Sequence, residues 1–570
     1  MSDEQRAGLA LVLMVLVLML WSHFYKPATP QKPPETNPPA ANIPSQQPPA
    51  SSVASSPTGK NKTRATETER AATPTKEATS EQIITVESSL YRVELSNRGG
   101  VVRSWKLEKY RNNETPPKPL ELVDAAAAQQ LNAWPLSIHL DDPKLDAAAN
   151  SGLYVVNSAA NDLHAPADVD FEWSDGHLDV VKQLKFTPGY EAQLSVSATL
   201  DGNPLPVAVA WRGGFGDQSV PSAAALTQVF YSEDSKIQLL NYKKLGVKGH
   251  QEEPAQVTGY LDAAGIEDTF FTAAFLSSRP GITLWDWTQQ QSVTQDGKTS
   301  QLPVSEMAAG AQAPGPWDVQ LYVGPKELSE LGKLQPNLTP LVQYGWFGII
   351  AKPLLIVLRW SYKYVPNYGW DIVLLTIAIN MALFPFKAKS WRSMKKMQHV
   401  MPKQKAIQEK YKKYSMRDPR RRQMQEEIGA LYKEHGVNPL GSCLPQLVQL
   451  PIWYALYRML EFSIELRHAP WIGWIHDLSA RDPYYILPIL MTVAMYYMTK
   501  MTPQTTVDPA QQKMVTLMPL AFGFFLFFYS SGLVLYIFTS SLVGIAQQWY
   551  LNRADPLPSR SPFKNKPAKA

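Results

Sequence analysis

NPLGSCLPQLVQLPIWYALYRML, residues 438–460, decides how the chain reads. It has the apolar content of a membrane-spanning helix, yet Pro445 and Pro451 punctuate it and Gln446 and Gln449 interrupt it. At about 100° per residue, Gln446, Gln449 and Trp453 share one face. Leu444, Leu447, Val448, Ile452 and Leu456 take the rest of the circumference. Lipid gives an amide side chain no hydrogen bond, so the glutamine stripe must look at protein or at trapped water. Such a span needs partner spans that build a polar hollow.

The chain supplies them on both sides. Upstream, Asp371 opens IVLLTIAINMALFPF, a span ending at Phe386, with Thr376 and Asn380 four apart on one face. Fifteen residues rise only about 22 Å against a hydrocarbon core of about 30 Å, which implies local thinning or help from the preceding helix. That helix, Tyr344–Tyr364, carries Lys352, Arg359 and Lys363 and reads as interfacial or tilted. Leu328, Leu331, Leu334, Leu338 and Leu341 before it suggest a short amphipathic helix on the membrane surface. Downstream, a tryptophan-rich loop at 461–483 suits an outer interface. A span follows from Tyr484 to Met498, with Met491, Met495 and Met498 as a stripe that serves either core packing or varied apolar clients. As one helix, Met514–Tyr550 would be about 55 Å long, so Tyr529–Gly532 breaks it into a hairpin of two spans. Gly532, Tyr536 and Ser540 step along one face of the second.

The remainder has a different composition. The apolar fraction of 45% and mean hydropathy of −0.22 resemble a soluble protein, but the average hides a split between the two ends and the middle. Residues 1–26 read as an uncleaved signal-anchor, whose apolar run Ala7–Trp21 is a further span. Residues 27–80, rich in Pro, Ser and Thr, cannot bury a core and read as a tether. Residues 81–330 hold short β-rich runs divided by turns such as Asp175-Gly176 and Asp201-Gly202, the pattern of an all-β sandwich. Residues 331–386 carry the interfacial helices and the second span. From Lys387 to His435 there are fifteen Lys and Arg against five Asp and Glu. Helical spacing of Met394, Met397 and Met401, then of Met424, Ile428 and Leu431, makes 387–437 a helical hairpin. Its charge places it in the cytoplasm. There Arg417, Arg420, Arg421 and Arg422 form a candidate dock for anionic lipid or ribosomal RNA. Residues 438–551 complete the membrane core and 552–570 are a basic, disordered tail. The fold class is therefore multi-domain: an all-α polytopic core of six spans, five of them in the core proper, plus an all-β outer domain. Both termini lie inside, and residues 27–343 outside.

The intramembrane polar set is Thr376, Asn380, Gln446, Gln449, Tyr536 and Ser540. It contains no histidine and no carboxylate, so a proton relay, an intramembrane protease and a metal site are poorly supported. One cysteine, Cys443, excludes an intrachain disulfide. Gly297-Lys298-Thr299 lacks the upstream glycine of a phosphate loop and reads as a turn. No cofactor, metal or catalytic residue is expected. Hydration remains: a polar hollow lowers the cost of bringing a charged side chain to bilayer depth, about 2.5–3.5 kcal/mol or more. Trp453, Met491, Met495, Met518, Phe522 and Phe525 offer a surface for an apolar client helix. Arg458, half a turn from Gln449, reads as snorkelling towards Glu461.

These residues carry a resemblance. VNPLGSCLPQLVQLPIWYALYRML (437–460), WIHDLSARDPYYILPILM (474–491), DPAQQKMVTLMP (508–519) and SGLVLYIF (531–538) are similar to the YidC family of bacterial membrane protein insertases, in its Gram-negative form. The resemblance implies an inner-membrane insertase and chaperone, not an enzyme, with a hydrophilic groove open to cytoplasm and lipid. It implies a periplasmic β-supersandwich without catalytic activity. The partners it implies are nascent membrane proteins, the ribosome, the Sec translocon (SecYEG, SecDF) and anionic lipids. The family places an arginine in the second span where this chain has Asn380, so the groove is expected to lack its fixed charge. The alternatives are a secondary transporter, which would need inverted repeats and a midplane ion site, and an anchored periplasmic enzyme.

Overall fold

The computed structural model describes residues 74–114, 116–219, 227–234, 236–240, 255–278, 281–295, 298–311, 313–414, 418–437, 444–503 and 509–554. The expected anchor, most of the tether, Arg417 and the tail from residue 555 lie outside them.

Among the described residues of 83–325, strands form two sheets. The smaller has five: Ile83–Glu87, Tyr91–Ser96, Val101–Arg111, Pro119–Glu121 and Asp162–His164. The larger has fourteen. Alternation in LDVVKQLKF explains the geometry: Leu178, Val180, Leu184 and Phe186 are buried while Gln183 and Lys185 face out. The inner faces meet through aromatic rings. Trp105 of the smaller sheet lies 6.2 Å from Phe186 and 6.4 Å from Trp211 of the larger, centroid to centroid. The longest hairpin, Ile282–Gln295 with Lys298–Ala311, was not legible as strand in the sequence. Gln295 pairs with Lys298, so Lys298 and Thr299 open a strand and hold no phosphate loop. Two short helices, α1 (Ala125–Leu131) and α2 (Pro143–Ser151), are capped by Asp124 and Asp142, whose side chains accept backbone N–H groups.

The rest is helical: α3 (Leu328–Leu331), α4 (Gly348–Tyr362), α5 (Tyr368–Ala382), α6 (Phe384–Tyr411), α7 (Arg420–Glu434), α8 (Leu444–Phe462), α9 (Ile486–Met501), α10 (Pro509–Leu526) and α11 (Ser531–Ala554). Asn367 explains the start of α5. Its side chain accepts from the N–H groups of Gly369 and Trp370 and donates to the Trp471 carbonyl at 3.2 Å. The break expected at Tyr529–Gly532 lies slightly earlier, between Leu526 and Ser531, with Ser531 and Gly532 opening α11. Among the described residues no single helix is long and apolar enough to cross a membrane. The pair α5 and α6, bent by 54° at Leu383, reaches that length together. The helix that opens at Tyr368 ends at Ala382, and the chain turns at Leu383 into α6, with Pro385 in the first turn beyond.

Helix α11 packs against α5 and α9, and α9 against α10. Two glycines permit the closest approaches. A Cβ on Gly523 would lie 2.1 Å from Thr492 Oγ1, and one on Gly544 would lie 2.6 Å from Met498 Sδ. Met498 therefore fills a notch in α11. The basic hairpin closes as expected, with Met424, Ile428 and Leu431 buried on its seam. Two ion pairs fasten the loop after α8. Arg467 reaches Asp217 of the β domain, both side chains buried, and Arg359 of α4 pairs with Glu465.

A lysine occupies an inward position of the β domain. Lys182 is buried, and its Nζ donates to the carbonyls of Gly99 (2.7 Å), Gly100 (3.0 Å) and Leu136 (2.7 Å). Gly99 and Gly100, at φ of +74° and +57°, turn those carbonyls inward as most residues could not. Burial pushes the ammonium down to about 7. Above that pH the unfolded chain keeps a proton that the folded one releases, so stability rises with pH until the ordinary lysine range is reached. Below it the penalty is present in full. The urea midpoint, followed by tryptophan fluorescence, is expected to climb between about pH 7 and about pH 9 in the wild type. Lys182→Met should flatten that slope and lower the midpoint by stranding three carbonyls, about 1–3 kcal/mol. An unchanged slope in the variant would refute the assignment.

Candidate functional site

Four helices bring the polar side chains together. On α5, Thr376 and Asn380 are fully buried. Thr376 spends its hydroxyl on the Ile372 carbonyl at 2.6 Å, an i−4 bond within its own helix. Its hydroxyl hydrogen is therefore committed to its own helix. Its carbonyl accepts from Asn380 Nδ2 at 2.8 Å. The same Nδ2 reaches Ser540 Oγ of α11 at 3.3 Å. From α11, Gln547 Nε2 donates to the Asn380 carbonyl at 3.0 Å.

Gln547 and a fifth participant were not among the expected residues. Lys387, in the first turn of α6, donates through Nζ to Asn380 Oδ1 at 2.6 Å. Seven residues make two turns, so Lys387 returns to the face of Asn380, about 10.5 Å further along a straight helix. The bend at Leu383 and the N-terminal lean of helical side chains close that distance. Among the described residues no carboxylate pairs with Lys387. Asn380, expected to leave this place without a basic group, thus has the Lys387 amine on its side chain. The i+7 spacing was the available signal.

A second bond lies on α8. Gln449 Nε2 donates to the hydroxyl of Tyr536 on α11 at 3.2 Å, and Gln449 Oε1 has no partner. The Gln446 side chain lies outside the description. Tyr536 is sealed, whereas Gln449, Ser540 and Lys387 are half-buried. The stripe thus divides into an interior knot (Thr376, Asn380, Tyr536) and an accessible edge (Gln449, Ser540, Lys387). One carboxylate joins the buried set. Asp371, in the first turn of α5, is fully buried with Ser361 as its neighbouring hydroxyl, at the positive end of the helix dipole.

The apolar surface also divides. Met518 is exposed, and Trp453, Phe522, Phe525 and Met495 are half-buried. The Trp453 and Phe522 rings lie 6.2 Å apart. Met491 is fully buried beside Leu487 and Ala494, so it belongs to the packed face of α9 and not to a client surface. Arg458 turns away from the partner expected for it. It donates to the Gln343 carbonyl and lies over the Phe462 ring at 4.0 Å. On the basic hairpin, Arg420 pairs with Asp418 and covers Tyr414, and Arg421 donates to the Tyr414 carbonyl. Arg422 stands free except for Glu426, 3.4 Å away on the same exposed face. In the β domain His139, which read as isolated, lies 3.2 Å from Arg212 and 3.7 Å from Asp146, between Trp285 and Trp287.

Known proteins match this arrangement along nearly the whole chain. Residues 360–557 match the family described as 60Kd inner membrane protein, and residues 83–357 the one described as YidC periplasmic domain. A membrane protein insertase YidC of Syntrophus aciditrophicus (strain SB) is 32% identical over 563 residues, spanning 96% of this chain and 99% of its own. That of Cupriavidus taiwanensis is 33% identical over 481 residues, 83% of each chain. The crystal structure titled "Active YidC insertase crystal structure with the first transmembrane domain resolved" is 18% identical, covers 84% of this chain and 95% of that one, and superposes with a TM-score of 0.35.

The knot is testable by a double-mutant cycle. Asn380→Leu and Lys387→Met should each destabilise the helical region, with a coupling of about 0.6–2 kcal/mol between them. Unfolding measured in a bilayer gives that coupling directly, and strict additivity would mean that the contact is not made.

Proposed function

We infer the insertion path from one premise: the chain belongs to the YidC family of membrane protein insertases and is an insertase of the inner membrane with a periplasmic domain, not an enzyme. The relatives are insertases and not solute carriers, so the transporter alternative falls. Its substrates are nascent membrane proteins.

The reading we propose is a groove with a polar edge and an apolar wall. Gln446, Gln449, Ser540 and Lys387 form the edge, backed by Thr376, Asn380 and Tyr536. Trp453, Met495, Met518, Phe522 and Phe525 form the wall. Client helices slide along the wall while their polar flanks cross beside the edge. The observation that carries this is the Lys387 ammonium, set on Asn380 Oδ1 beside Ser540 and left without a carboxylate among the described residues. An uncompensated cation at that depth attracts acidic client segments, the part an arginine plays in the family. The β domain is the supersandwich, the spans number six with both termini cytoplasmic, and residues 27–343 are periplasmic. The basic hairpin, through Arg417, Arg420, Arg421 and Arg422, meets the ribosome and anionic lipid. SecYEG and SecDF are the translocon partners.

Site-directed cross-linking from Gln449, Trp453 and Phe525 to a stalled nascent membrane protein is expected to succeed, and from Met491 to fail. Lys387→Met should slow insertion of clients with acidic translocated segments about five- to tenfold, from a loss of about 1–1.4 kcal/mol, and spare neutral clients. Lys387→Arg should restore it. Equal loss for acidic and neutral clients would refute the charge role, and full insertion by Asn380→Leu would refute the groove role of Asn380.

A further inference from the structure

A cavity of about 760 Å³ lies where the β domain meets the helices, away from the polar knot. Ile237 and Leu239 of the strand Lys236–Leu240 form one wall, the first turn of α4 with Ile349 and Lys352 another, and Arg458 of α8 the back. Among the described residues, the charged side chains lining it are both cationic, Lys352 and Arg458. Arg458 has Nη2 on the Gln343 carbonyl, while its buried Nε has no hydrogen-bond partner and no acidic group pairs with the guanidinium among the described residues. Arg458 is half-buried, so its guanidinium is partly desolvated with no anion beside it among the described residues, and an anion entering the cavity would pair with it. No side chain caps the N-terminus of α4, whose dipole adds positive potential in the same place.

The mouth of the cavity supplies the second half of the argument. Helix α4 buries Ala351, Leu355 and Leu358 but exposes Ile349 (83%), Ile356 (66%) and Trp360 (58%). An exposed face of that composition belongs in the lipid interface. It runs on from the two cations, so an anion with apolar chains satisfies both surfaces at once, whereas a free anion satisfies only one.

We propose that this cavity is a binding site for the headgroup of an anionic phospholipid of the periplasmic leaflet. The phosphate sits between Lys352 and Arg458, and the acyl chains lie along Ile349, Ile356 and Trp360. The lipid then bridges the β domain and the membrane helices, since its headgroup touches both.

Photoactivatable phosphatidylglycerol tests the site on the full chain in nanodiscs. Cross-links are expected to map to residues 345–353, and phosphatidylcholine of the same chains should give few. Lys352 is exposed, so Lys352→Glu should leave folding intact while lowering labelling there at least about fivefold, the weight of one interfacial cation. Arg458→Gln should do the same, and Lys352→Arg should keep it. Labelling in that segment unchanged by Lys352→Glu, or equal for the two lipids, would overturn the proposal. So would its loss to millimolar inorganic phosphate, which would make the cavity a free-anion site.

Discussion

A polar side chain among helices in an oil-like surrounding has to find another polar group. That constraint arranges this molecule's helical half. The Asn380 side chain meets it with three contacts, its own α5 through the Thr376 carbonyl, α11 through Ser540 and α6 through Lys387, and Gln547 of α11 adds a fourth bond to its backbone carbonyl. Each is a hydrogen bond that neither lipid nor an apolar neighbour could replace. Together they set the rotation of α5 against α11 and the direction in which α6 leaves. The bend at Leu383 and the knot therefore belong to one arrangement. A straight continuation would carry Lys387 beyond reach of Asn380.

The same constraint separates what is sealed from what is offered. Backbone carbonyls satisfy Thr376 and Ser541 within their own helices, so these hydroxyls hold nothing further. Gln449 is different: one amide group is bonded to Tyr536 and its oxygen is left over. Leftover capacity of this kind, with a Lys387 ammonium that no carboxylate pairs among the described residues, is what the proposed groove would offer a polar segment. An insertase needs just such groups, because it must bind without holding. The apolar surface obeys a parallel rule. Met498 is consumed by the notch at Gly544 and Met491 by the α9 interior, while Met518 remains outside.

The periplasmic domain shows the constraint with a different solvent. Lys182 sits in a β-strand at an inward position and is held by three carbonyls that two left-handed glycines present. Asp217 reaches the helical half through Arg467, so the rigid sandwich bears on the loop that follows α8. The cavity backed by Arg458 lies on the same junction, which makes the joint between domains a chemically specific place and not only a covalent one.

Sequence alone determined the periods. Two-residue alternation marked the first strands of the sandwich, and helical spacing marked the spans, the basic hairpin and the glutamine stripe, because side-chain direction follows backbone geometry directly. Sequence also determined the family, through four long motifs. It could not show the Ile282–Ala311 hairpin, whose strands mix polar and small residues and owe their place to neighbours on either side. Nor could it show Lys387 on Asn380, Arg458 on Gln343, or the burial of Met491. Those depend on where a helix bends and which face of a neighbour it meets. Only the packed tertiary structure fixes these, since a periodic pattern gives a direction around one helix axis and says nothing of what stands there.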